Sequence, residues 1–185
     1  MDIKVGVSNH HVHLNKESLA ILFGENYELT VKRNLTQLGQ FAAEETVDIV
    51  CNGKKLEHIR VVGGLRNYTQ VELLDTDCEY FGINAPVRDS GDLEGSETVD
   101  IIGPKGIYHA NESTIIANTH IHMSAEDLRN YNVNNKDRVK VIFDNGVYMD
   151  NVTIKSDPSC VLELHINKDI AGSLKIETGM GVKIC

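Results

Sequence analysis

Apolar and polar residues alternate along most of this chain with the period of two expected of strands. Val5-Gly6-Val7 continues a strand entered from Met1, and Glu45-Thr46-Val47-Asp48-Ile49-Val50-Cys51 alternates over a longer stretch. Asn52-Gly53 then reads as a hairpin turn that returns the chain through Ile59-Arg60-Val61-Val62. Further strands are expected at Gln70–Leu73, Val99–Gly103, Thr114–Met123, Val139–Phe143, Val147–Met149, Thr153-Ile154 and Val161–Ile166, with Asp144-Asn145-Gly146 as a second hairpin turn. Helical patterns are brief. One follows Asn15, a plausible cap, through Ser18–Phe23 to Gly24; one covers 75–81; and a third begins after Ser124, with Asp127 completing a capping box. The segment Arg33–Phe41 reads as polar and irregular, and Gly103-Pro104-Lys105-Gly106 as a plain turn without phosphate-loop spacing. Many short strands, glycine turns and few helices predict a mainly β fold of small barrels with short capping helices.

Within this pattern one motif occurs twice. His11-Val12-His13 returns as His120-Ile121-His122, each followed by a short polar residue and a helical run. Alternate residues of a strand share a face, so each pair presents two imidazoles side by side. The repeat extends further: Glu72 lies nineteen residues after turn glycine Gly53, and His165 lies nineteen after Gly146. The duplication therefore offers two three-donor sets, His11, His13 and Glu72, and His120, His122 and His165. Imidazole and carboxylate donors suit Zn²⁺ first, with Co, Mn or Fe as alternatives, and three protein ligands leave a position open for reactants. Arg66, after the break at Gly63-Gly64 and six residues before Glu72, is placed to hold a phosphate or carboxylate at the first set. His10 lies on the opposite strand face and is expected to be a supporting or surface residue. His58 and His109 are expected to be exposed, and Arg88 to form a surface ion pair. Arg60 reads equally well as a solvated strand residue.

Composition narrows the ligand. The 185 residues carry a net charge of -9 with 5% aromatics and no Trp, which argues against nucleic acid and anionic membranes as partners. No apolar leader or spanning segment is visible, and the four cysteines, Cys51, Cys78, Cys160 and Cys185, are widely spaced as reduced thiols would be. A cytoplasmic protein is the expectation.

The ordered blocks Val7-Ser8-Asn9-His10-His11-Val12-His13-Leu14, Gly39–Val47, Arg66 with Thr69-Gln70-Val71-Glu72, Ala85–Gly91, Gly103–Gly106 and His120–Ser124 resemble the PduL-type phosphotransacylases, the phosphate propanoyltransferases. The resemblance covers nearly the whole chain. It implies two related, intertwined β-barrel halves with a di-zinc site between them, and discontinuous domains of about 1–9 plus 118–185 and 10–117. It implies the reaction acyl-CoA + phosphate ⇌ acyl phosphate + CoA, with propanoyl-CoA or acetyl-CoA as substrate. The two donor sets would bind two zinc ions, Arg66 would bind phosphate, and Gly6, Val7 and Ser8, with Arg60, would line the coenzyme A site. Two departures stand out: His10 replaces a frequent arginine, and the amphipathic targeting segment of microcompartment members is not seen, so a free cytoplasmic enzyme is expected. Using the same donors, a metal-dependent thioesterase or a non-catalytic metal-binding module are the rival readings. Whether the chain is a monomer or a homo-oligomer is left open.

Overall fold

The computed structural model describes residues 3–185, so the first two residues of the expected N-terminal strand lie outside it. In chain order the elements begin with β1 (Ile3–Ser8), β2 (His11–His13), α1 (Lys16–Phe23), β3 (Val31–Asn34), β4 (Phe41–Cys51) and β5 (Lys54–Gly63). They continue with β6 (Gln70–Glu72), α2 (Asp75–Phe81), β7 (Val87–Arg88), β8 (Glu97–Ile102) and β9 (Ile107–Ala117). The remainder are β10 (His120–Met123), α3 (Ala125–Tyr131), β11 (Arg138–Phe143), β12 (Tyr148–Ser156), β13 (Glu163–Asn167), α4 (Lys168–Leu174) and β14 (Gly181–Ile184). The fold is mainly β with short helices, as the residue pattern predicts.

The chain divides into two compact units. One comprises residues 3–9, 36–38 and 118–185, and its strands close into a barrel in the order β1-β13-β10-β12-β11-β14. The other comprises 10–35 and 39–117. Its strands also close a ring, from β4 through β5, β2, β6, β9 and β8 back to β4, with β3 added to β4 and β7 to β9.

The pairings of the two rings correspond strand for strand. β2 runs parallel to β5 and antiparallel to β6; β10 runs parallel to β12 and antiparallel to β13. β1 precedes β2 in the chain yet pairs in parallel with β13, while β9 precedes β10 yet pairs in parallel with β6. Each half therefore gives the strand before its histidines to the other ring. This is the sense in which the halves are intertwined.

Each ring has its own apolar centre. Val12, Val47, Ile49, Ile59, Val61 and Val71 are buried in one, and Ile3, Val5, Ile121, Val141, Phe143 and Leu164 in the other. Since Val12 and Ile121 point into these cores, strand alternation turns His11 with His13, and His120 with His122, to the opposite face. Helices then stop the His strands cleanly. The Asn15 side chain accepts from Ser18 N at 2.8 Å at the start of α1, and Ser124 accepts from Asp127 N at 3.1 Å at the start of α3. Gly103 and Gly106 bracket a turn pressed against the end of α1, where Lys105 N donates to Leu22 O at 3.0 Å.

Some details differ from the residue pattern. The stretch expected to be irregular, Arg33–Phe41, holds the last two residues of β3 and the first residue of β4. β3 is exposed at all four positions, so it has no apolar alternation to reveal it. The strand expected from Thr114 to Met123 is broken at Asn118-Thr119, where the chain leaves one ring for the other. Helix α4 and strand β14 were not expected; both are short, and α4 carries Gly172 inside it. Among the described residues, no helix is long and apolar enough to cross a membrane.

Candidate metal centres

Strand register explains the first donor set. His11 lies directly opposite Glu72 across the β2–β6 ladder, and His13 opposite Gln70. His11 Nε2 is 3.1 Å from His13 Nε2 and 3.3 Å from Glu72 Oε2, while His13 Nε2 is 3.5 Å from Glu72 Oε1. In a tetrahedral site with bonds of about 2.0–2.1 Å, neighbouring donors stand about 3.3 Å apart. The three contacts thus have the edge length a metal requires. Burial drives the His13 imidazole down to about 4, against a weaker opposing pull from Glu72, so its ring is neutral at physiological pH. Burial works against ionisation of Glu72, but His11 and His13 outweigh it and hold that carboxyl well below the usual range. Neutral imidazoles and an ionised carboxylate are the protonation states that ligate cations.

The second set has the same construction. His120 lies opposite His165 across the β10–β13 ladder, and His122 opposite Glu163. His120 Nε2 stands 3.0 Å from His122 Nε2, and the His165 ring centroid is 4.5 Å from that of His122. His120 Nδ1 is 2.7 Å from the carbonyl oxygen of Asn118, which can only accept, so Nδ1 carries the proton and Nε2 keeps its lone pair. His122 Nδ1 faces Cys160 Sγ at 3.3 Å. In each set the donor atoms lie within 4.8 Å of one another. Hard and borderline donors at this spacing, largely withdrawn from solvent, fit a divalent transition metal such as zinc.

Around each set runs a supporting network that the residue pattern did not single out. Gln70 Oε1 accepts from Gly91 N at 2.8 Å, and its Nε2 donates to Glu72 Oε1 at 2.6 Å and to Ser90 Oγ at 2.9 Å. In the other unit, Glu163 Oε2 accepts from His165 Nε2 at 2.6 Å, and Thr36 Oγ1 donates to Glu163 Oε1 at 3.0 Å. Burial opposes ionisation of Glu163, but these bonds outweigh it and lower its pKa. The duplication itself carried a signal for both residues: Gln70 and Glu163 each stand two positions before the third donor, on the same strand face. Ser90 and Gly91 carry no such signal, because they come from a loop.

Arg66 lies beside the first set. Its Nη1 donates to Ser90 Oγ at 2.7 Å and reaches Tyr68 OH at 3.3 Å, and its charge contributes to the lowering of His13. Arg60 faces His11 in register on β5, but its Nη1 donates to the carbonyls of Ala43 and Glu44 at 2.9 and 2.8 Å. Gly6 lies opposite His165 on β1, so close that a side chain there would meet Glu163 and His165. Val7 N donates to Thr178 Oγ1 at 3.2 Å, and Ser8 Oγ to Ile166 O at 3.4 Å. His10 is held by Asp77 at 2.8 Å, His109 by Asp100 at 2.7 Å on an exposed surface, and Arg88 by Asp92 at 2.9 Å. His58 is exposed.

Comparison with known proteins follows the same lines. A family model described as phosphate propanoyltransferase matches residues 4–177. The chain is 48% identical over 180 residues to the phosphate propanoyltransferase of Thermotoga maritima, covering 96% of this chain and 86% of that protein. It is 42% identical over 187 residues to that of Lachnoclostridium phytofermentans, covering 98% and 86%. Against that of Priestia megaterium it is 41% identical over 179 residues, covering 96% and 82%.

Proposed function

The chain belongs to the phosphate propanoyltransferase family of transferases, and from that premise we propose that it exchanges an acyl group between coenzyme A and inorganic phosphate. The reaction is acyl-CoA + phosphate ⇌ acyl phosphate + CoA, with propanoyl-CoA or acetyl-CoA as the thioester and the cytoplasm as its compartment. The observation that carries this reading is the pair of three-donor sets in equivalent registers, with Arg66 beside the first.

His11, His13 and Glu72 would hold one zinc ion and His120, His122 and His165 another. Bound there, zinc supplies Lewis acidity toward the thioester sulfur and the reactant oxygens. The chain's own groups do the rest. Arg66 gathers phosphate: its guanidinium keeps donors beyond the Nη1 bonds already described, and a planar fork suits a phosphate dianion. A protein of net charge -9 that handles two anionic substrates needs such a local cation. Gly6, Val7 and Ser8 on β1, with Arg60, are proposed to line the coenzyme A path.

A phosphate oxygen then attacks the acyl carbon directly, the C–S bond breaks, and the phosphate proton passes to the departing thiolate, releasing CoA as the thiol. The cysteines give little support to an acyl-enzyme route. Burial pushes the Cys78 thiol up to about 11 and raises that of Cys160 as well, so both are protonated and poorly nucleophilic at neutral pH. All four cysteines are free, in keeping with a reducing compartment.

The test is release of CoA from acetyl-CoA and propanoyl-CoA with and without phosphate, with acyl phosphate quantified and metal measured in the same sample. Release that requires phosphate, yields equimolar acyl phosphate and stops after chelation is the expected result. Release without phosphate would make the protein a thioesterase. Bound metal with no turnover would leave only a metal-binding module.

A further inference from the structure

Ser90 has an unusual hydrogen-bond balance for a hydroxyl. Its Oγ is met at 2.7 Å by Arg66 Nη1 and at 2.9 Å by Gln70 Nε2. Neither nitrogen can accept. A guanidinium has no lone pair to offer, and the Gln70 amide orientation is fixed because Oε1 accepts from Gly91 N while Nε2 faces the acceptor-only carboxylate of Glu72. Both oxygen lone pairs are therefore spent on incoming N–H groups, and the Ser90 proton has no acceptor among the described residues. Ser90 as a residue is half-buried rather than sealed in the core.

Its location gives that proton a use. Ser90 joins Arg66 on one side to Glu72 on the other, through Gln70. On the reading above, phosphate is held at Arg66; we place the thioester sulfur at the His11–His13–Glu72 set because that is the donor set Arg66 stands beside. The acyl carbon bonded to both at the tetrahedral stage must then lie between them, next to Ser90. We infer that the Ser90 hydroxyl donates a hydrogen bond to the acyl oxygen as negative charge develops on it, making Ser90 a catalytic residue of the oxyanion kind. No bond to Ser90 forms or breaks, and its proton stays on Oγ. The two N–H groups it accepts polarise the hydroxyl and fix its rotor before the substrate arrives.

This inference rests on the proposed acyl exchange, and the experiment separates the two. Wild-type, Ser90→Ala and Ser90→Thr enzymes are compared in the phosphate-dependent assay, with metal content and Tm measured alongside. The expected result is a fall in kcat of roughly 100-fold for Ser90→Ala. KM for phosphate should change by no more than about twofold, because a group acting only at the transition state leaves ground-state binding intact. Metal content should be unaltered, Tm should fall modestly in Ser90→Ala because Arg66 and Gln70 lose an acceptor, and Ser90→Thr, which keeps a hydroxyl, should recover most of the rate. An unaltered kcat in Ser90→Ala would overturn the inference. A rise in KM for phosphate with kcat preserved would do so too, since it would mean that Ser90 only steadies Arg66. A wild-type enzyme without phosphate-dependent release would instead defeat the functional reading, and the Ser90 assignment with it.

Discussion

A carboxylate survives burial when hydrogen bonds replace the water it gives up, and Glu45 meets this condition away from any reaction. It is 9% exposed and accepts from Tyr27 OH at 2.9 Å and from Thr30 N at 3.0 and 3.1 Å. Burial opposes its ionisation, but backbone amides and Tyr27 outweigh it and lower the pKa from the ordinary 4.5. As pH falls, the unfolded chain takes up this proton before the folded one does. The stability Glu45 contributes is therefore complete above 4.5 and drains as pH drops through the lower folded value. Glu45→Gln should cost about 1–3 kcal/mol at pH 7, by turning an amide toward the Thr30 N–H. It should also flatten the acid limb of a plot of Tm against pH; an unchanged limb would count against this account. At this scale the sequence exposes donors that repeat and hides donors that do not. His11, His13, Glu72 and their counterparts are legible because duplication preserved their spacing from a turn glycine. Ser90 is not, because its meaning lies in Arg66 and Gln70, twenty or more residues away in the chain and adjacent only after folding.

Strands set the geometry of the donor sets more tightly than any single side chain does. In each ring an antiparallel neighbour places the third donor opposite the first, His11 against Glu72 and His120 against His165. Equal hairpin-to-donor spacing in the two halves is the sequence record of that shared register. β1 supports the second set from the other side of β13. A Cβ at Gly6 would stand 3.0 Å from Glu163 Cδ, 3.1 Å from its Oε1 and 3.3 Å from His165 Cδ2. Gly6 takes no positive φ, so space rather than backbone conformation explains the glycine. Gly6→Ala should push the Glu163–His165 pair off its position, costing about 1–3 kcal/mol and lowering metal retained after dialysis by about half, with the first set still loaded. Ala at Gly53, a turn position with open space around it, should leave metal content unchanged. Equal metal loss in both variants would refute the positional argument. The elements that escaped sequence reading are exposed β3, four-residue β14, which is too short to display a period, and α4, whose internal Gly172 lowers its helix propensity. Asn167, whose side chain accepts from Ile170 N at 3.0 Å, was the one local cue for α4.

For the whole molecule, the exchange of β1 and β9 decides which parts of the chain can fold alone. Residues 10–117 contain every strand of the ring β4-β5-β2-β6-β9-β8, with a buried core running from Val12 to Ile116. Residues 118–185 do not contain a complete ring. They lack β1, which closes the barrel between β13 and β14 and brings Ile3 and Val5 into its core. They also lack Gln37, 3% exposed, which grips the Val161 backbone twice, accepting from its N–H and donating to its carbonyl, both at 2.9 Å. Without β1, the facing edges of β13 and β14 are left unpaired, a cost that short strands cannot offset and an invitation to aggregation. A fragment 10–117 should therefore give a dispersed amide NMR spectrum and bind about one equivalent of zinc, having one complete donor set. Fragment 118–185 should be insoluble or disordered, and joining residues 3–9 to its N-terminus through a flexible linker should restore much of its order. If 118–185 folds and binds metal unaided, the exchanged strand is dispensable and the pairing of β1 with β13 does not hold that barrel together.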